Sequence, residues 1–159
     1  VKIFKKYFPV LSYPILAIRC YCEIFNSLLK HNKMTAQENA LNWFEISVTD
    51  IKRASKFYET IFGIELQPQE MMGMQMAFFP ADMTGKVSGG LVHGPMHKPS
   101  ADGAKIYLNG NPDLQNALSK IEGAGGKVLM PKTKITDDIG YMAFFSDTEG
   151  NTVALHSNK

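Results

Sequence analysis

From Trp43 onward, the chain alternates between two hydrophobic periods. Trp43, Glu45 and Ser47 interleave with Phe44, Ile46 and Val48, a period of two that predicts a strand with one apolar face. Asp50 then opens a run with helical spacing: Ile51, Ala54, Phe57, Tyr58, Ile61 and Phe62. Aspartate is a good N-cap, and Gly63 supplies a stop. Further on, Ile106-Tyr107-Leu108 predicts a short strand. Asn111, with Pro112 in the first helical position, is the expected cap of a second helix through Leu114, Ala117, Leu118 and Ile121, which Gly123, Gly125 and Gly126 end. Val128-Leu129-Met130 and Gly140–Phe145 predict strands, with Lys132, Lys134, Asp137 and Asp138 between them as a solvated loop. Met71, Met72, Met74 and Met76 cluster around Gly73, as a hairpin or as an adaptable lid.

The pattern repeats. Met76-Ala77-Phe78-Phe79 returns as Met142-Ala143-Phe144-Phe145, and the turn Asp82-Met83-Thr84-Gly85 returns as Asp147-Thr148-Glu149-Gly150. Each turn leads to a strand ending in histidine, at Leu91-Val92-His93 and Ala154-Leu155-His156. A whole order of elements recurring in this way implies an internal duplication. The reading is an α+β domain over residues 34–159: a βαβββ module at 42–93, a linker at 94–103 and a second module at 104–156. Pairing the two half-buried sheets predicts a curved, partly closed surface around a ligand-sized cavity.

On these residues the chain resembles the vicinal oxygen chelate superfamily of glyoxalases, bleomycin-resistance proteins and extradiol dioxygenases. The first-module match is Trp43 through Asp50 with Arg53-Ala54, Phe57-Tyr58 and Phe62-Gly63. The second-module match is Ala117-Leu118, Gly125-Gly126-Lys127-Val128 with Pro131, and the turn Asp147 through Asn151. The resemblance implies paired βαβββ modules, a homodimer and, in the catalytic members, a divalent metal held by His or Glu side chains of the first and last strands of each module. Carried over residue by residue, those ligand positions fall on Trp43, about Leu91, Lys105 or Ile106, and Ala154. None of these is an ordinary metal ligand, so no cofactor is expected.

Other side chains are candidates for the chemistry. Glu45 lies two residues from Trp43 and His156 two from Ala154, each on the same strand face as its neighbour. With His93, read as the repeat mate of His156, they form a candidate displaced site for a divalent metal, and Glu45 with His156 a candidate acid/base pair. Trp43, Tyr107 and Asn109 are the expected cavity walls, giving a ligand-binding set of Trp43, Glu45, His93, Tyr107, Asn109 and His156. His97 reads as an exposed linker residue. Gly89-Gly90 permits close backbone approach, but no helix follows it as in a phosphate-binding loop. The favoured function is binding of a small organic molecule without the standard metal. The alternative is a lactoylglutathione-lyase-like lyase or isomerase with the displaced metal site.

Charge and cysteine change the picture chiefly by separating the first 33 residues from the rest. Residues 1–33 hold 6 basic and 1 acidic side chains, net +5, and both cysteines, Cys20 and Cys22. The remaining residues hold 11 basic and 14 acidic side chains, net −3. A mildly acidic domain without a basic stripe argues against nucleic acid as a partner. A domain without cysteine has no thiol for catalysis and needs no disulfide, which suits a cytoplasmic location. The apolar run Tyr7–Ile18 is shorter than the roughly 20 residues of a membrane span and is interrupted by Pro9 and Pro14. Met34-Thr35-Ala36-Gln37 has the form of a protein start, so residues 1–33 are expected to be a poorly ordered leader or an upstream extension, with no membrane partner.

Overall fold

The computed structural model describes residues 39–82 and 86–159. Residues 1–33, expected as a leader or an upstream extension, and Met83, Thr84 and Gly85 of the first Asp…Gly turn lie outside the described residues. The order of elements is β1 (Trp43–Ser47), α1 (Ile51–Phe62), β2 (Gln67–Met71), β3 (Met74–Phe78), β4 (Ser88–His93), β5 (Tyr107–Asn109), α2 (Gln115–Leu118), β6 (Lys127–Thr136), β7 (Gly140–Ser146) and β8 (Thr152–Ser157). They build two four-stranded sheets of identical topology, β1-β4-β3-β2 and β5-β8-β7-β6. In each the first strand runs parallel to the last, and the other pairs are antiparallel. No helix among the described residues is long and apolar enough to cross a membrane.

Helix α1 forms where the periodicity places it. The Asp50 carboxylate accepts hydrogen bonds from the amides of Lys52 and Arg53, both at 3.0 Å, and Gly63 takes a left-handed φ of 66° at the other end. Replacing Asp50 with alanine should therefore cost about 1 kcal/mol, read as a shift in a urea midpoint at unchanged slope. The second helix departs from expectation. Only Gln115–Leu118 is α-helical, and a series of turns carries the chain to Gly126. Asn111 is not its cap, because the Asn111 amide and side-chain nitrogen both donate to Asn109 Oδ1. Asp113 instead accepts from the Gln115 amide at 2.9 Å.

The polar stretch expected as a loop is strand in its first half, while Asp137 and Asp138 form the turn to β7. Lys132 and Lys134 lie within β6, which follows β7 through three register shifts. Extra residues at such bulges break the hydrophobic alternation that a flat strand would show. Lys132 Nζ sits 2.7 Å from Asp113 and 4.6 Å from the Tyr141 ring centre, which ties this strand to the start of α2. The methionine cluster is the β2–β3 hairpin, turning at Met72 and Gly73 with φ of 53° and 76°.

One core serves both modules. Ile46, Ala77 and Leu91 of the first sheet share a cluster with Ala143, Phe145 and Leu155 of the second. Between them stand Ala54, Phe57 and Ile61 of α1 with Leu118 and Ile121. Phe57 meets Phe145 at 5.9 Å between ring centres, and Tyr58 meets Phe79 at 5.7 Å, so α1 packs on core-facing rings of both modules. Because side chains alternate along a strand, each sheet also has an outer face turned away from this core.

A buried polar joint locks the modules together. Asp147 Oδ2 accepts from the Tyr58 hydroxyl at 2.9 Å and from Asn151 Nδ2 at 2.9 Å. Asn151 Nδ2 also reaches the Ser47 carbonyl at 2.8 Å. Burial, then the charge of Asp147, pushes the Tyr58 hydroxyl well above its ordinary range, so it remains a donor. The Glu149 carboxylate, with no exposed side-chain surface, accepts from Thr49, from the Asp50 amide and from Arg53 Nε at 2.8 Å.

Candidate functional site

The outer face of the first sheet carries Trp43, Glu45 and Ser47 from β1, Met76 and Phe78 from β3, and Gly90 and Val92 from β4, by alternation from the core residues Ile46, Ala77 and Leu91. Trp43, 41% exposed, stands perpendicular to Phe78 at 5.2 Å between ring centres. Gly90 is the cross-strand partner of both Glu45 and Phe78. A Cβ on Gly90 would come within 2.8 Å of Phe78 Cδ1, so the missing side chain lets that ring lie against the backbone beside Glu45.

Glu45 is held from two sides. Trp43 Nε1 donates to Oε1 at 3.3 Å, and His97 Nε2 lies 2.8 Å from Oε2. His97 was expected to be an exposed linker residue. Instead the linker turns at Gly94, whose carbonyl accepts the His97 amide at 3.0 Å, and returns the imidazole to the sheet with 15% of its side chain exposed. The bare Cα of Gly94 permits this, since a Cβ there would meet Met74 Cγ at 2.8 Å and His97 Nδ1 at 3.2 Å. Nδ1 is buried and has no hydrogen-bond partner among the described residues. A hydrogen on that nitrogen would be an unmet buried donor, so the hydrogen belongs on Nε2, where it is given to Glu45. The sequence signal for this residue was the Gly94-Pro95 turn after β4; the partner lies 52 positions away.

The outer face of the second sheet carries Tyr107, Asn109, Met142, Phe144, Ala154 and His156. Tyr107, 49% exposed, meets Phe144 at 5.7 Å and 71°. Asn109 and His156 are cross-strand partners, but both are engaged locally, Asn109 with the Asn111 turn and His156 Nε2 with the Ile139 carbonyl at 2.8 Å.

His93 and His156 are not repeat mates. Ala77 pairs with Leu91 while Ala143 pairs with Leu155, so the position equivalent to His156 is Val92, and His93 corresponds to Ser157. A one-residue offset reverses the face of a strand. His93 falls on the core-side register and its Nδ1 lies 3.1 Å from the Val48 carbonyl. Glu45, His93 and His156 are therefore not brought together, and no group of three His, Cys, Asp or Glu able to hold a metal occurs among the described residues.

The same register resolves the positions where the superfamily resemblance implies ligands. Glu45 and Tyr107 are equivalent through their partners Gly90 and Ala154, which makes Trp43 equivalent to Lys105. The four positions are thus Trp43, Gly90, Lys105 and Ala154, with Gly90 in place of the expected Leu91. Three have no donor suited to a divalent ion, and Lys105 Nζ is engaged with the Ala101 and Gly103 carbonyls. The residues present do not fit the metal.

The helices pack in the core that the two sheets share, and two cavities among the described residues lie outside it. One of about 540 Å³ lies between α1 and the β2–β3 hairpin, lined by Lys52, Ser55, Lys56, Leu66, Gln75 and Met76 among others. A smaller cleft of about 170 Å³ lies beside Glu45, between β1, the linker and β8, with Lys98, Ile106 and Asn151 in its lining.

The comparisons agree with this architecture. The family model described as Glyoxalase/Bleomycin resistance protein/Dioxygenase superfamily matches residues 40–155. A glyoxylase-like domain-containing protein of Didymella fabae is 32% identical over 118 residues, 72% of this chain and 91% of the relative. The crystal structure of glyoxalase I from Zea mays superposes with a TM-score of 0.56 at 20% identity, over 74% of this chain and 45% of the maize chain, so this chain spans under half the length of that protein. TnmS3, an antibiotic-binding protein from Streptomyces sp. CB03234, superposes with a TM-score of 0.57 at 21% identity, over 79% of this chain and all of its own length. With the family model covering most of the domain and two matching βαβββ modules, the chain belongs to the glyoxalase/bleomycin resistance protein/dioxygenase superfamily.

Proposed function

We propose that this protein binds a small organic molecule against the outer face of its first sheet and does so without the metal used by catalytic members of the superfamily. The observation that carries the reading is the pairing of an exposed indole, Trp43, with a carboxylate oriented by two donors, Glu45. An aromatic wall beside a fixed polar group is the usual composition of a small-ligand site. The antibiotic-binding description of TnmS3 supports the same reading. The second outer face, with Tyr107 over Phe144, offers a similar wall. A homodimer in which a second copy closes over these open faces completes the proposal.

A fragment screen read by backbone amide shifts tests it. Ligands should perturb β1, β3 and β4 and raise thermal stability, by about 2.7 kcal/mol at a hundredfold excess over Kd. Trp43→Ala should remove the response while leaving the unliganded transition close to its original temperature. Perturbations confined to the α1–β2–β3 groove, or none at all, would sink the assignment.

A further inference from the structure

Resting on that reading, we propose that Trp43, Phe78 and Glu45, with His97 as a positioning residue, select an organic cation: an ammonium or amidinium group on a flat or aliphatic body. The Glu45 carboxylate accepts from the Trp43 indole at 3.3 Å and meets His97 Nε2 at 2.8 Å. Among the described residues no lysine or arginine pairs with this carboxylate. A carboxylate has about four lone-pair sites. Two are taken here, and the side chain is 36% exposed, so acceptor capacity remains open to a ligand.

Trp43 and Phe78 meet at 90°, forming a corner of two aromatic rings next to the carboxylate. Aromatic faces attract cations through their quadrupole, with Trp the strongest, and recognition of quaternary ammonium groups uses this combination. An apolar neutral ligand seated in the same corner would have to desolvate Glu45 without compensation, and an anion would be repelled. The net charge of −3 over residues 34–159 favours the approach of a cation as well.

His97 sets the orientation of that carboxylate. Its ring is fixed by the Gly94 turn and gives its hydrogen to Glu45 at 2.8 Å, which holds the carboxylate in one orientation beside the rings. Side chains locked in this way keep a recognition site preorganised.

Trp43 is the single tryptophan of the chain, so intrinsic emission reports on the site directly. The full chain is titrated with benzyltrimethylammonium, with benzyl alcohol as a neutral counterpart and with benzoate as an anionic one. The expected result is a saturable change with the cation and at least tenfold weaker responses with the other two. Glu45→Gln should weaken the cation at least tenfold and leave the neutral probe unchanged, with circular dichroism confirming the fold. His97→Leu should weaken the cation several-fold, and His97→Gln, which keeps a donor, should restore part of the loss. Equal binding of cation and neutral probe, tighter binding of benzoate, or an unaffected Glu45→Gln variant would overturn cation selection while leaving a ligand face in place. If no probe changed the emission and no fragment shifted an outer-face amide, both proposals would fall together.

Discussion

Replacing Phe145 with alanine is expected to destabilise the domain by about 3–5 kcal/mol. Phe145 is fully buried on β7, between Val128 and Val153 across the sheet, and its ring meets Phe57 of α1. Its loss would open a cavity where the two modules share their core, and the packed helices around it have little freedom to collapse inward. For a domain whose total stability is of order 5–15 kcal/mol, this is a large fraction. Phe144, one residue earlier, faces outward and is only partly covered by Tyr107. Its truncation should cost roughly a third as much. Paired urea titrations of the two variants check the assignment of faces. Equal losses would mean that the outer face of the second sheet is packed as tightly as the core.

Acid should release the joint between the modules, with Glu149 as the leading group. Burial pushes its carboxyl up, but hydrogen bonds from Arg53, the Thr49 side chain and amide, and the Asp50 amide outweigh that and hold it down to about 2. A carboxyl whose folded value lies below its unfolded one contributes stability that is fully present above the unfolded value, near 4.5, and is lost as pH falls toward 2. The full linkage is worth at most about 3 kcal/mol. Arg53 is half exposed, so solvent screening lowers the expected loss to about 2 kcal/mol. Glu149→Gln should lose a similar amount at neutral pH and show a flatter acid limb than the parent protein. Urea midpoints measured from pH 6 to pH 2.5 check both. An acid limb equally steep in parent and variant would place the titrating group elsewhere, with Asp113, whose carboxyl is lowered chiefly by Lys132, as the next candidate.

The elements most legible in the sequence were those whose residues obey one period and end on a strong local signal. β1 and α1 meet that condition, with Asp50 and Gly63 bracketing the helix, while the repeated Met-Ala-Phe-Phe marked the ends of β3 and β7. The second helix was over-read because its apolar spacing continues to Ile121 while the backbone leaves the α conformation after Leu118. β6 was under-read because its bulges scramble the alternation on which the expectation rested. At the site, Trp43 and Glu45 were recognisable from their common strand face, since a period of two is enough to place them together. His97 was not, because its role depends on a turn that returns the linker across the sheet. The supposed equivalence of His93 and His156 failed for a more general reason. Aligning the two strands by their terminal histidines ignores hydrogen-bond register, and only the pairing of Ala77 with Leu91 and of Ala143 with Leu155 reveals the single-residue offset.

The edges of the two sheets carry a further consequence. β2, exposed at every residue, ends the first sheet, and β6, displaced by repeated bulges, ends the second. An unpaired edge is a template on which other chains can add strands and grow into aggregates. Pro68 removes a backbone donor from one edge, and the bulges of β6 interrupt the ladder on the other. The irregularity that hid β6 in the sequence thus also interrupts the ladder to which another strand would add at that edge.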